Sequence, residues 1–218
     1  MTFHFEAIWP SLPFILEGVG VTIKFTLASL FCGLPLGVLL AIAKISHLKT
    51  ARGIARIYTS VFRGTPLIVQ LFIIYFGLPP LIGYNLSAFE AGVLTFSLNS
   101  AAYSSEIIRA GIQAIDKGQW EAAQVLGLSY RTTLCTIILP QALRNILPAL
   151  VNEIVDLLKE SALVSTIGEA DLLRRSQIVA SEKYLFFEPL LIAAVAYYIM
   201  VMVVSFFAKA LERNMRYA

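Results

Sequence analysis

Two clusters of polar and charged residues interrupt stretches that are otherwise apolar, and their spacing suits recognition of a small polar solute. Asn99, Tyr103 and Glu106 recur at i, i+4 and i+7, which is one face of a helix, and Arg109 follows Glu106 by three. Asn152 and Asp156 are one turn apart, Lys159 lies a turn beyond them, and Ser161 continues the polar stripe past Glu153 and Glu160. A carboxylate in such a stripe accepts hydrogen bonds from an ammonium group, and Asp156 is the central candidate. Every free amino acid carries an α-ammonium, so Asp156 alone does not specify a basic side chain. A plainer reading stands beside this one: the stripes join helices, with Glu106 paired to Arg109 and Asp156 paired to Lys159.

The elements that must carry these clusters are membrane helices. Hydrophobic residues make up 58% of the 218-residue chain and charged residues 14%, against roughly 25% charged in ordinary soluble domains. A bilayer core requires about 20 mostly apolar residues per helix. Five stretches qualify: about Ile15–Ala43, Ile54–Leu78, Phe89–Ile112, Ile146–Ile167 and Leu185–Ala208. The first carries Glu17 and Lys24 near its start and is too long to be a signal-peptide core. The second contains Arg63-Gly64-Thr65-Pro66, where the proline lacks an amide donor and kinks the helix. The backbone groups freed there must find partners inside the bundle, so this turn is expected to face protein rather than lipid.

Lys and Arg in the connections set the orientation. The connection after the first span holds Lys44, Lys49, Arg52 and Arg56; the third holds Lys117, Arg131 and Arg144; the tail holds Lys209, Arg213 and Arg216. The N-terminal segment and the second connection hold none, and in the fourth Arg174, Arg175 and Lys183 are balanced by Glu169, Asp171 and Glu182. The alternation predicts an N-terminus outside and a C-terminus in the cytoplasm. The whole chain, 1–218, then forms a single all-α integral membrane domain. No inverted repeat is visible, and the net charge of +3 shows no basic stripe suited to nucleic acid. Cys32, Cys135, His4 and His47 lack metal-ligand spacing, so no metal site is expected.

The segment at about 116–140 falls on the predicted cytoplasmic side. It reads Glu121-Ala-Ala-Gln-Val-Leu-Gly127, followed by Ile138-Leu139-Pro140. Asp116 can cap a short helix, Glu121 lies in its early turns, Ala122 and Ala123 permit close approach to another surface, and Gly127 can end it in a left-handed conformation. A second segment, Ser129–Leu139, follows and is expected to end at Pro140. The phosphate-cradling Gly-Lys-Ser/Thr pattern is absent, since Gly-Lys does not occur in the chain.

This segment resembles the EAA signature of bacterial ABC-importer permeases. Phe62-Arg-Gly-Thr-Pro-Leu67 with Gln70, Leu98-Asn-Ser-Ala-Ala-Tyr103 with Glu106, Arg109 and Gly111, and Lys159-Glu-Ser-Ala-Leu163 are similar to the narrower group that takes up polar amino acids, the histidine, arginine and glutamine permeases. Glu160 and Ala162 depart from the usual Asp and Ser or Thr of that last phrase. The resemblance implies a five-helix type I importer fold in the bacterial cytoplasmic (inner) membrane and a non-enzymatic subunit paired with a second permease, as a homodimer. It implies no cofactor on this chain, with ATP and Mg bound by a separate ATPase and substrate delivered by an extracytoplasmic solute-binding protein. Glu121, Ala122, Ala123, Gly127, Leu139 and Pro140 would couple to the ATPase. Asn99, Tyr103, Glu106, Asn152, Asp156 and Ser161 would line the path, with Arg63, Arg109 and Lys159 as gate candidates. Two other functions fit the polar clusters: a secondary carrier or channel working without ATP, and a membrane scaffold that transports nothing.

Overall fold

The computed structural model describes residues 4–217, apart from the side chains of 212 and 214–217, and the regular elements in this range are all helical. Arg216, one of the orienting cations of the tail, therefore has its side chain outside the described residues. Helix α1, Leu12–Ile45, follows two short turns, Phe5–Ile8 and Trp9–Ser11. It packs along α4, Ala88–Gln113, through small residues. A Cβ added at Gly33 would lie 2.9 Å from the Ser97 carbonyl, and one at Gly37 would lie 2.9 Å from Ser104 Cβ. Such spacing lets two helix backbones approach where no hydrophobic effect drives them together. Phe25 and Phe96 fill the space beside this seam edge to face, with ring centroids 4.9 Å apart. Helix α4 starts at a capping box in which Ser87 and Glu90 satisfy each other's backbone amides.

The second predicted span is two helices rather than one kinked helix. Helix α2, Lys49–Gly64, and the segment Leu67–Ile82, which opens with α3, Leu67–Phe72, meet at 104°. Pro66 provides no amide for the Phe62 carbonyl four residues earlier, and the chain turns there instead of bending. Lys44 also departs from its predicted place in a connection. It lies in the last turn of α1 with its side chain buried, because it turns inward to a carboxylate on α4.

The third connection carries α5, Lys117–Val125. The fourth span begins earlier than expected. A continuous helical rod runs from Tyr130 to Ile167, comprising Tyr130–Thr132, a π-helical stretch Thr133–Ile138, α6 Leu139–Glu160 and a 3-10 stretch Ser161–Ile167. Pro140 therefore does not end the preceding segment. It occupies the opening turn of α6 directly after the π stretch, whose wider i→i+5 turn accommodates a residue with no donor. Helices α7, Leu172–Lys183, and α8, Phe187–Tyr217, complete the chain.

Among the described residues three helical stretches are long and apolar enough to cross a membrane: Phe5–Ile45, Tyr130–Ile167 and Phe187–Leu211. The bent pair makes a fourth if it counts as one span. Helix α4, the remaining predicted span, is 26 residues long but polar along its buried side, where Thr95, Ser97, Asn99, Ser100, Ser104 and Ser105 face the bundle. A helix enclosed by other helices needs few lipid-facing apolar side chains.

The connection predicted between spans four and five holds the buried Asp171, which caps α7 by accepting from the Arg174 amide at 2.8 Å and accepts from the Tyr197 hydroxyl at 3.2 Å. Gly18 of α1 abuts the same turn, where a Cβ would meet Leu172 Cα at 2.5 Å. Burial pushes the Asp171 carboxyl from its ordinary 3.8 up to about 6, although its hydrogen-bond donors pull the other way. A folded-state pKa above the unfolded value gives stability that is complete below about pH 4 and lost as pH rises through about 6. We predict that Asp171→Asn, which keeps an oxygen to cap α7, melts a few degrees above the wild type at pH 7.5. That gap closes by pH 4.5, as followed by thermal melts in detergent; a pH-independent gap would contradict this assignment.

Candidate functional site

Helix α5 projects from one end of the bundle. Asp116 starts it, accepting from the Gly118 amide at 2.6 Å. A Schellman motif ends it: the Leu128 amide donates to the Ala123 carbonyl and the Gly127 amide to the Gln124 carbonyl, each at 3.0 Å. Gly127 sits at φ 71°, as that motif requires. Trp120 stacks on Tyr130 at 5.4 Å, and Gln141 of α6 donates to the Gln119 side chain, so the base of α5 is held against the rod. Ala123 is buried on this inner side. The outer side presents Glu121 and Ala122 with two large apolar side chains, Val125 at 87% and Leu126 at 76% exposure. An apolar tip beside a carboxylate on a short, rigidly capped helix is shaped to enter a cleft on another protein. Leu139 and Pro140 lie in the first turn of α6, part of the rod that supports this tip rather than the tip itself.

The face of α4 that carries Asn99, Tyr103 and Glu106 meets α2 and α1. The Phe62 carbonyl, freed by Pro66, accepts from Gln70 Nε2 at 2.8 Å and from Asn99 Nδ2 at 3.2 Å. Asn99 also donates to Gln70 Oε1, and Gln70 donates to both oxygens of Thr65. The expectation that protein would satisfy this break therefore holds for its carbonyl, while Arg63 to Pro66 remain exposed on the other side. The Arg63 guanidinium lies over the Tyr103 ring, 5.2 Å from its centroid. Glu106 pairs with Arg109 at 2.6 Å and with Lys44 at 2.7 Å; Lys44 also donates to Ser105, and Arg109 to Gln113. This carboxylate is thus shared by two cations.

On α6, Asp156 and Lys159 form the pair of the plainer reading at 2.7 Å, but both stay open, at 58% and 54% exposure, rather than joining helices. Asn152 and Glu160 are exposed beside them. Glu153, half-buried next to Ser100 of α4, interacts electrostatically with Asp156, Glu160 and Arg63. Arg63, Tyr103, Glu153 and Asp156 therefore share one side of the chain. Ser161 turns inward, fully buried, and donates to the Leu158 carbonyl.

Residues 33–217, which include α5 with its apolar tip and the polar faces of α4 and α6, match the model of the family described as binding-protein-dependent transport system inner membrane component. The chain belongs to this family. It is a permease subunit and not an enzyme, and in such transporters a separate subunit is the ATPase. It is 50% identical over 216 residues to the arginine transport system permease protein ArtQ of Bacillus subtilis, covering 99% of each chain. It is 54% identical over 207 residues, 95% of each, to a Rickettsia conorii protein provisionally named a glutamine transport system permease, GlnP. A crystal structure of an amino acid ABC transporter with histidines contains a chain that superposes with a TM-score of 0.93 at 44% identity, covering 98% of this permease and all of that chain. The type I importer fold follows from that match.

Sequence reasoning named three residues without giving them a part in this geometry. Gln70 had a signal: a polar side chain one turn past a helix-breaking proline. Lys44 and Glu153 had weaker ones, since Lys44 meets Glu106 across 62 positions and Glu153 was noted only as lying on a face next to Asp156.

Proposed function

We propose that this permease is one half of a homodimeric, ATP-driven importer of polar amino acids, either basic ones such as arginine or glutamine. The carrying observation is the Asp156–Lys159 pair, open on the side of α6 away from its own bundle. A charge at the centre of a bilayer costs about 2.5–3.5 kcal/mol, so this side is set against an aqueous path rather than lipid. Arg63 with Tyr103 would bind the carboxylate end of an amino acid, and Glu153 with Asp156 the cationic end of a basic side chain, with Asn152 beside them. Lys159 and the Glu106–Arg109 pair would act as gates, and Asn99 and Ser161 would hold the lining helices in place.

In this reading the five spans run from an outer N-terminus to a cytoplasmic C-terminus in the bacterial inner membrane. A solute-binding protein delivers substrate outside. The ATPase, which carries ATP and Mg, receives Glu121, Ala122, Val125 and Leu126 in a cleft, and its closure moves α5 and the rod behind it as a rigid body. The names of the relatives support the substrate class, and the carboxylates of Asp156 and Glu160, which act electrostatically on Glu153, tilt the choice toward basic amino acids.

Thiol labelling tests the lining. In a permease whose Cys32 and Cys135 are replaced by serine, Asn152→Cys and Asp156→Cys react with a charged, water-soluble thiol reagent in membranes, and arginine or glutamine slows the reaction. Unreactive thiols at both positions would place this side against lipid or buried protein and remove the proposed path.

A further inference from the structure

The coupling-helix end of the bundle holds a second polar site that transport chemistry does not use. A cavity of about 540 Å³ opens between the α1–α2 turn, the end of α4 and α5, and its lining includes Lys44, Arg52, Arg56, Lys117, Trp120 and Tyr130. The lining contains four cations and no carboxylate. Glu106 and Ser105 occupy Lys44, but among the described residues neither Arg56 nor Lys117 has an ion-pair partner. Arg52 gives one nitrogen to the Ser46 carbonyl at 2.6 Å, while its Nε is closed off from solvent with no hydrogen-bond acceptor. With Arg56 and Lys117 unpaired and no carboxylate in the lining, the cavity carries positive charge that nothing in it balances.

We infer that this cavity binds the phosphate headgroup of an anionic phospholipid of the cytoplasmic leaflet. Two features favour a lipid over free phosphate. Ile45, Ile112 and Ile115 give the cavity an apolar wall. The stacked Trp120 and Tyr130 stand at the rim, the residue types that settle at a membrane–water interface. Basic pockets between membrane helices on this side suit anionic headgroups. A lipid seated here touches α1, α2, α4 and α5 together and braces the coupling helix against the bundle. The inference rests on the orientation given under Proposed function.

The test uses the complete transporter, permease with its ATPase, in vesicles of phosphatidylcholine with or without phosphatidylglycerol. Native mass spectrometry reads retained lipid, and uptake is measured separately, so loss of lipid binding and failure of the transport assignment are distinguishable. The wild type retains phosphatidylglycerol in preference to phosphatidylcholine. Arg52→Gln with Arg56→Gln weakens that retention on the order of twentyfold, about fivefold for each cation near an anionic surface, whereas Arg131→Gln, which removes an exposed charge outside the cavity, does not. Equal loss in Arg131→Gln would reduce the effect to general surface charge. Displacement by inorganic phosphate as effective as by phosphatidylglycerol would make this a free-anion site and overturn the lipid assignment. Absence of lipid preference in the wild type would overturn it whether or not the double variant folds. So would a double variant that keeps its lipid but loses the ATPase, which would make the cations part of the protein interface.

Discussion

Gly127→Val abolishes ATP-driven uptake while leaving the permease inserted in the membrane. Gly127 stands at φ 71°, and a β-branched residue held there costs on the order of 1–3 kcal/mol. The strain falls on the Schellman motif, whose two hydrogen bonds from Gly127 and Leu128 close α5. Relaxing it unwinds the turn that fixes Leu126 and Val125 in their exposed positions. Those two side chains are the apolar tip, so the variant loses the shape proposed to enter a cleft on the ATPase. The spans are built from other contacts and survive. The measurements are copurification of the ATPase and stimulation of ATP hydrolysis by loaded binding protein. Gly127→Asn serves as the control, because asparagine tolerates the left-handed region, and it retains most activity. Wild-type coupling in Gly127→Val would show that the turn does not matter to transport.

Asp156→Asn lowers uptake of arginine and lysine on the order of tenfold to a hundredfold, as expected for loss of a hydrogen bond to a charged group, and lowers glutamine uptake much less. Two effects add. The substituted side chain no longer offers a carboxylate to a cation, and Lys159, which was neutralised at 2.7 Å, is left as an uncompensated positive charge on the same surface. A basic side chain is repelled where glutamine is not. Glu153→Gln is expected to act in the same direction, since Glu153 shares the field of Asp156, Glu160 and Arg63. The combination Asp156→Asn with Lys159→Gln separates the two effects: it relieves the repulsion and restores part of the arginine uptake, a coupling that a double-mutant cycle reads directly. Equal impairment of arginine and glutamine by Asp156→Asn would remove the preference for basic substrates.

What the sequence disclosed was mostly what neighbouring residues decide among themselves. Asp116 as a cap, Gly127 as a left-handed terminator, and the Glu106–Arg109 and Asp156–Lys159 pairs all involve residues within four positions, where helix geometry alone sets the distance. The break at Pro66 was equally legible, because a missing amide is a property of one residue. Its size was not. The 104° turn depends on Gln70 and Asn99 holding the Phe62 carbonyl, and Asn99 is 37 positions away in sequence. Pro140 misled for the opposite reason, since the π-helical turns before it absorb the donor that it lacks and the rod continues. Lys44 read as a mark of orientation and proved also to be a buried partner of Glu106, which only the packing of α1 on α4 could show. The short helix α5 was legible as a motif, but its exposed face was not: Val125 and Leu126 looked like any apolar residues until α5 was placed against the rod through Ala123 and Trp120.

The most direct test of the central claim is uptake of labelled arginine, lysine and glutamine into vesicles holding this permease and its ATPase, with the binding protein outside and ATP and Mg inside or omitted. Accumulation that requires internal ATP, with arginine preferred over glutamine in wild type, is the predicted result. Uptake that proceeds equally without ATP, or no uptake of any of the three, would contradict an ATP-driven importer of polar amino acids.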